Sequence, residues 1–163
     1  MLQGNGKLVY IDLSGRSDQV SARVGGTALA QVFGQVGDLA PDIDNPHHLR
    51  VGFKLIQDLI RERQCTAGHD ISDGGLVTTL LELAFATNCG LKVDLSTSAA
   101  DADAIQFLFA EECGVVLEIK RSSMADVQQR LTQAQLRHQI IGDTICDDDV
   151  IVVRVNQETV LQV

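Results

Sequence analysis

No run of lysine or arginine occurs in this chain, and 22 acidic residues against 13 basic ones give a formal charge of −9. Nucleic-acid backbones and anionic membranes call for clustered cations, so charge argues against both as partners. An anionic nucleotide fits only where backbone N–H groups or a metal offset the acidic field. The four cysteines, Cys65, Cys89, Cys113 and Cys146, include no C-x-x-C pair, which leaves zinc and dithiol readings without support. Their expected state is reduced, as in a cytosolic protein. No apolar run approaches the ~20 residues that cross a bilayer, and no basic-then-apolar leader opens the chain. A soluble, cytoplasmic protein is expected. The only two prolines, Pro41 and Pro46, fall within one loop, Asp38 to Pro46.

What is present is ordinary for a globular protein: 163 residues, 45% hydrophobic and 21% charged. That suffices for one domain, 1–163, with a real core, and argues against disorder. An opening directly into a strand suits a piece of a longer polypeptide. Strand patterns run over Lys7–Leu13, Leu91–Leu95, Cys113–Ile119, Gln139–Ile141, Val150–Val155 and Thr159–Val163, the last two forming a hairpin about Asn156-Gln157-Glu158. Helix patterns run over Ala28–Gln35 with Thr27 as cap, over His47–Arg63 with Asn45 as cap and Pro46 at the first position, over Asp101–Phe109, and from Ser122 or Ser123 to Gln133. Leu49, Phe53, Ile56 and Ile60 are expected to form the buried stripe of the second, and Ile105 and Leu108 to face inward on the third. Interspersed strands and helices give an α+β fold in layered α/β form, a mixed β-sheet packed by helices.

The densest chemistry lies between Cys65 and Asn88. An apolar run ends in Gly68-His69-Asp70-Ile71-Ser72-Asp73-Gly74-Gly75, and a helix pattern follows at once, with Leu76, Leu80, Leu83, Ala84 and Phe85 on its buried face and Gly90 closing it. N–H groups of a first helical turn have no partner inside the helix. Gly74 and Gly75 allow close approach to the main chain, while Asp70, Ser72 and Asp73 offer the hard oxygen ligands that Mg²⁺ selects. The plainer reading has Ser72 or Asp73 capping the helix and His69 filling a turn. Gly25-Gly26-Thr27 is either a phosphate turn or plain loop chemistry. Glu111-Glu112, at a helix-to-strand junction, are either ligands or, as such pairs more often are, solvated; His47 and His48 are expected to be solvated. The Asp147-Asp148-Asp149 run lacks the spacing of a calcium loop and reads as a polar tip.

Gly68-His69-Asp70-x-Ser72-Asp73-Gly74-Gly75-Leu76, Leu81-Glu82-Leu83-Ala84-Phe85-Ala86 and Cys89-Gly90 together resemble phosphoribosylformylglycinamidine synthase, the glutamine-dependent ligase of purine biosynthesis. Gly25-Gly26-Thr27-Ala28-Leu29-Ala30-Gln31 and Phe109-Ala110-Glu111-Glu112 extend the likeness over nearly the whole chain. The resemblance implies the C-terminal-type domain of the second half of the synthase portion, with a fold like the C-terminal domain of aminoimidazole ribonucleotide synthetase. It also implies that Asp70 ligates Mg²⁺ and Ser72 touches ATP or ADP, with His69, Asp73, Gly74 and Gly75 around them. The nucleotide so held would be auxiliary and structural. No catalytic residue is implied, and no Cys-His-Glu glutaminase set can be assigned. The implied partners are the nucleotide-binding synthase domains and the glutaminase domain of the same enzyme, so the piece alone is expected to be inactive. A scaffold domain that packs on those neighbours is the alternative; selenophosphate synthetase and thiamine monophosphate kinase match the central block less well.

Overall fold

Alternation in the first strand sends Leu8 to one side and Val9 and Ile11 to the other, and all of them are apolar. A strand that is apolar on both sides belongs in the middle of a sheet. The computed structural model, which describes residues 1–17, 21–96, 104–145, 147 and 149–163, places it there. Strand β1 (Gly6–Asp12) lies between β4 (Gly114–Lys120) and β5 (His138–Ile145), antiparallel to both. Strand β2 (Cys65–Asp70) forms one edge, β3 (Gly90–Leu95) follows β5, and the hairpin β6 (Ile151–Val155) and β7 (Glu158–Gln162) completes the other edge. Among the described residues this makes one seven-stranded sheet in the order β2-β4-β1-β5-β3-β6-β7. Only the β3–β6 pairing is parallel, so the sheet is mixed, as expected.

Helices cover the sheet on both sides. On one face α3 (Gly75–Phe85) and α4 (Ala104–Phe109) pack Leu76, Leu80, Leu83 and Leu108 against Leu8, Leu91, Val93 and Val116. On the other, α2 (Pro46–Arg61) and α5 (Met124–Gln133) pack Ile56, Leu59, Val127 and Leu131 against Val9, Ile11, Leu117 and Ile119. Each fully buried leucine or isoleucine contributes about 1.5–3 kcal/mol. A short helix α1 (Ala28–Val32) follows the loop after β1, with Thr27 accepting from the Ala30 amide as its cap. Asn45 caps α2 through the His47 amide with Pro46 at the first position, also as read from the sequence.

Several expectations fail, each for a packing reason. On α2, Phe53 and Ile60 are exposed, and Gly52 and Leu59 are buried instead. A Cβ at Gly52 would collide with Leu13, so the helix rolls to bring its glycine against the residue that follows β1. Phe85 and Ile105 are exposed as well. The residue that turns the chain after α3 is Asn88, at φ 51°, while Gly90 already pairs with Ile145. Ser123 precedes α5 without a side-chain cap bond, after a 3₁₀ turn at Arg121–Ser123. Of the expected helix from Asp101, residues Asp101–Asp103 lie outside the described residues, as do Cys146 and Asp148 of the last loop.

One carboxylate is wholly interior. Glu118 on β4 is 0% exposed, and it accepts from the Gln3 amide at 2.8 Å, the Gly4 amide at 3.1 Å and the hydroxyls of Thr66 and Thr144. These bonds replace the water it lost and clamp the first residues over the sheet.

Two predictions follow from the sheet. At Gly142, opposite Val93, a Cβ would lie 2.9 Å from Val93 Cα and 3.0 Å from the Lys92 carbonyl carbon. Both are backbone atoms, so Gly142→Ala should lower stability by about 1–3 kcal/mol in urea unfolding; an unchanged midpoint would contradict the register. Burial raises the Asp143 carboxyl, but hydrogen bonds from Lys7 and Arg121 outweigh it and leave the group below its usual range. Its stabilisation is therefore complete above the unfolded aspartate value and disappears as pH falls through the lower folded one. Asp143→Asn should flatten the acid limb of the melting temperature against pH.

Candidate functional site

The stretch richest in oxygen donors leaves the sheet at its edge. Strand β2 pairs with β4 alone, and its last residue, Asp70, stands opposite Val115. From there the Ile71 amide donates to the Gly114 carbonyl at 2.9 Å, the Gly75 amide donates to the Ser72 carbonyl at 2.9 Å, and α3 begins. The Asp70 side chain is 77% exposed, and Ser72 and Asp73 are exposed beside it. The Asp70 carbonyl is used internally, by His69 Nδ1 at 2.7 Å and the Thr79 hydroxyl at 3.2 Å. His69 Nε2 lies 3.4 Å from Glu82 of α3, so the imidazole stands between the strand end and the helix. A groove of about 330 Å³ beneath the edge strand is lined by Ile56, Ile60, Thr66, Gly68, His69 and Asp70.

The glycines and helix N-termini differ from the plainer reading of the sequence. Neither Ser72 nor Asp73 caps α3; Gly74 occupies that position at φ 85°, with no side-chain bond. Gly75 is also left-handed, at φ 72°, and a Cβ there would sit 2.7 Å from the Leu108 carbonyl oxygen and the Phe109 carbonyl carbon. The chain that approaches Gly75 closely is thus the end of α4. The missing cap comes from Glu111, whose Oε1 accepts from the Gly74 amide at 2.8 Å and from the Ala28 amide, at the start of α1, at 2.9 Å. A carboxylate at a helix N-terminus compensates both the open N–H groups and the helix dipole.

Glu112 is buried, not solvated as expected. It accepts three bonds from Arg23, through the backbone amide at 3.0 Å, Nε at 2.8 Å and Nη2 at 2.7 Å. Arg23 also reaches Asp44 at 2.8 Å. The Glu112 hydrogen bonds hold the guanidinium above its ordinary range despite burial. The Gly25-Gly26-Thr27 turn is committed internally too. Its amides donate to Leu39, Val36 and Val24 carbonyls, and the next amide goes to Glu111, so these groups do not offer a free phosphate cradle. Sequence reasoning missed Glu111 and Glu112; the available signal was a helix opening on Gly-Gly with no capping side chain, which requires an acceptor from elsewhere.

Chemically, the turn offers the Asp70 carboxylate, the Ser72 hydroxyl and the Asp73 carboxylate. These hard oxygens suit Mg²⁺, which demands a near-octahedral shell of six. Among the described residues, no group of three or more His, Cys, Asp or Glu side chains could hold a metal ion. Any Mg²⁺ held here would draw most of its ligands from water, phosphate or another domain.

Residues 8–155 match the family described as AIR synthase related protein, C-terminal domain. The chain is 46% identical over 142 residues to human phosphoribosylformylglycinamidine synthase, covering 87% of this chain and 10% of that protein. The fold is similar to T. maritima PurL complexed with ATP, at TM-score 0.72 and 16% identity over 100% of this chain and 25% of that one. It is similar also to T. maritima PurL complexed with FGAR, at TM-score 0.75 and 15% identity over 99% and 27%. The chain spans about a tenth of the length of its human relative.

Arg23→Ala would remove both guanidinium bonds to the buried Glu112 carboxylate and leave it the residue-23 amide and Arg16 Nε at 3.9 Å. The expected cost is about 1–3 kcal/mol in unfolding free energy, the penalty of a buried acceptor losing donors, and an unchanged unfolding free energy would mean that Glu112 reaches water.

Proposed function

Given that the chain belongs to the AIR synthase related protein C-terminal domain family, we propose that it serves as one domain of a phosphoribosylformylglycinamidine synthase. In that reading 1–163 is a single C-terminal-type synthase domain of a longer cytoplasmic enzyme of purine biosynthesis, working beside nucleotide-binding synthase domains and a glutaminase domain. The whole ligase converts formylglycinamide ribonucleotide to the corresponding amidine at the expense of ATP and glutamine. This domain contributes to an auxiliary Mg-nucleotide site and catalyses nothing alone. The 46% identity to the human enzyme over most of this chain supports the assignment.

One observation carries the site reading: the Asp70 carboxylate is exposed, yet its backbone is held on both sides. Asp70 would ligate the metal, and Ser72 would donate its hydroxyl proton to a nucleotide oxygen. His69, fixed between the Asp70 carbonyl and Glu82, would set the direction in which the strand end points. Asp73, Gly74 and Gly75 would shape the turn around them. Bound Mg²⁺ would neutralise phosphate charge there. The exposed Phe53 and Ile60 of α2 and Phe85 of α3, on opposite sides of the sheet, favour a second, compatible role as scaffold surfaces for neighbouring domains.

The test is Asp70→Ala in the full-length ligase that carries this domain, with co-purifying nucleotide and Mg²⁺ quantified after desalting. Loss of most of both is expected. Retention equal to the parent protein would remove Asp70 as a ligand.

A further inference from the structure

The donor-bearing turn is fastened at two points. At its start the Ile71 amide is bound to the Gly114 carbonyl, and at its end the Gly74 amide is bound to Glu111 Oε1. Ser72 and Asp73 are strung between those anchors. The same Glu111 oxygen takes the Ala28 amide, which follows the Gly25-Gly26-Thr27 turn. One carboxylate oxygen thus meets amides 83 and 37 residues away in the chain, on turns that no described strand pairing connects. Charge-assisted bonds of this kind are short and roughly twice as strong as neutral ones. Gly74, the N-cap residue of α3, has no side chain with which to cap the helix, so the cap position itself offers no substitute for Glu111.

We propose that Glu111 is a positioning residue that anchors both the Gly25–Thr27 turn and the Ser72–Gly75 turn, so that losing this one carboxylate releases the two together. If Asp70 and Ser72 hold Mg-nucleotide, as in the function proposed above, Glu111 holds that site in shape without touching the ligand. It is an internal anion that accepts one amide at the start of α1 and one at the start of α3.

The experiment uses the full-length ligase carrying Glu111→Ala, Glu111→Gln or Thr27→Ala, with amide hydrogen exchange at residues 25–30 and 72–78 and Mg-ADP affinity as readouts. Glu111→Ala should lose protection in both segments together and weaken Mg-ADP binding by roughly tenfold to a hundredfold, the scale on which small misplacements act. Glu111→Gln keeps an oxygen able to accept both bonds and should recover most of the protection and affinity. Thr27→Ala, which removes the cap of α1 and the hydroxyl's bond to the Val24 carbonyl but leaves both Glu111 bonds in place, should affect 25–30 and leave 72–78 protected. Loss of protection in one segment alone in Glu111→Ala would overturn the tie, and so would parental protection in both. If Asp70→Ala keeps its nucleotide while Glu111→Ala still opens both turns, the metal assignment fails and the tie stands.

Discussion

Glu111 Oε1 accepts two amides, and the adjacent Glu112 accepts three bonds from Arg23. Between them these neighbouring carboxylates fix the long loop after β1, the start of α1 and the start of α3. Taking a buried Glu112 and a half-buried Glu111 out of water is costly unless each finds donors; here each does, and the donors come from the loop and the helix starts. The segment Glu111–Glu112 leads directly into β4, the strand flanked by β1 and β2. Loop and turn geometry are therefore referred to β4, a strand paired on both sides, and do not depend on the loops' own stiffness.

That arrangement also sets what the surface can do. Asp70 and Ser72 project from a turn anchored through the Ile71, Gly74 and Gly75 amides, with their side chains exposed. In the function proposed, a carboxylate and a hydroxyl on an exposed ledge supply only part of a ligand set. The ledge adjoins a shallow groove, and bulky apolar residues stand exposed on α1, α2 and α3. An incomplete polar site next to uncovered apolar surface is what one expects of a domain that shares its site with a neighbour.

The sheet strands were legible because alternation and apolar runs specify them directly; β1, β3, β4 and the β6–β7 hairpin fall within a residue or two of their expected limits. Caps supplied by a residue's own neighbourhood, Thr27 and Asn45, were legible for the same reason. Which apolar residues face inward was less so. On α2 two stripes share Ile56, and the closeness of Gly52 to Leu13 selects one of them, a fact that periodicity does not contain. The roles of Glu111 and Glu112 were illegible because their partners, Ala28, Gly74 and Arg23, are distant in sequence. The oxygen-rich turn stood out in the sequence because its residues are contiguous, but how it is buttressed did not.

The place of β1 bears on how the chain reaches this state. Both its pairing partners lie more than a hundred residues further on, Gly6 matching Lys120 and Lys7 matching Asp143. As the chain emerges from the ribosome, an apolar strand made early must wait, unsatisfied along both hydrogen-bonding edges, until most of the domain has been synthesised. Contacts so distant in sequence slow folding and prolong exposure of sticky intermediates. The acidic character of the chain is then useful before any ligand arrives, since like charges keep waiting chains apart.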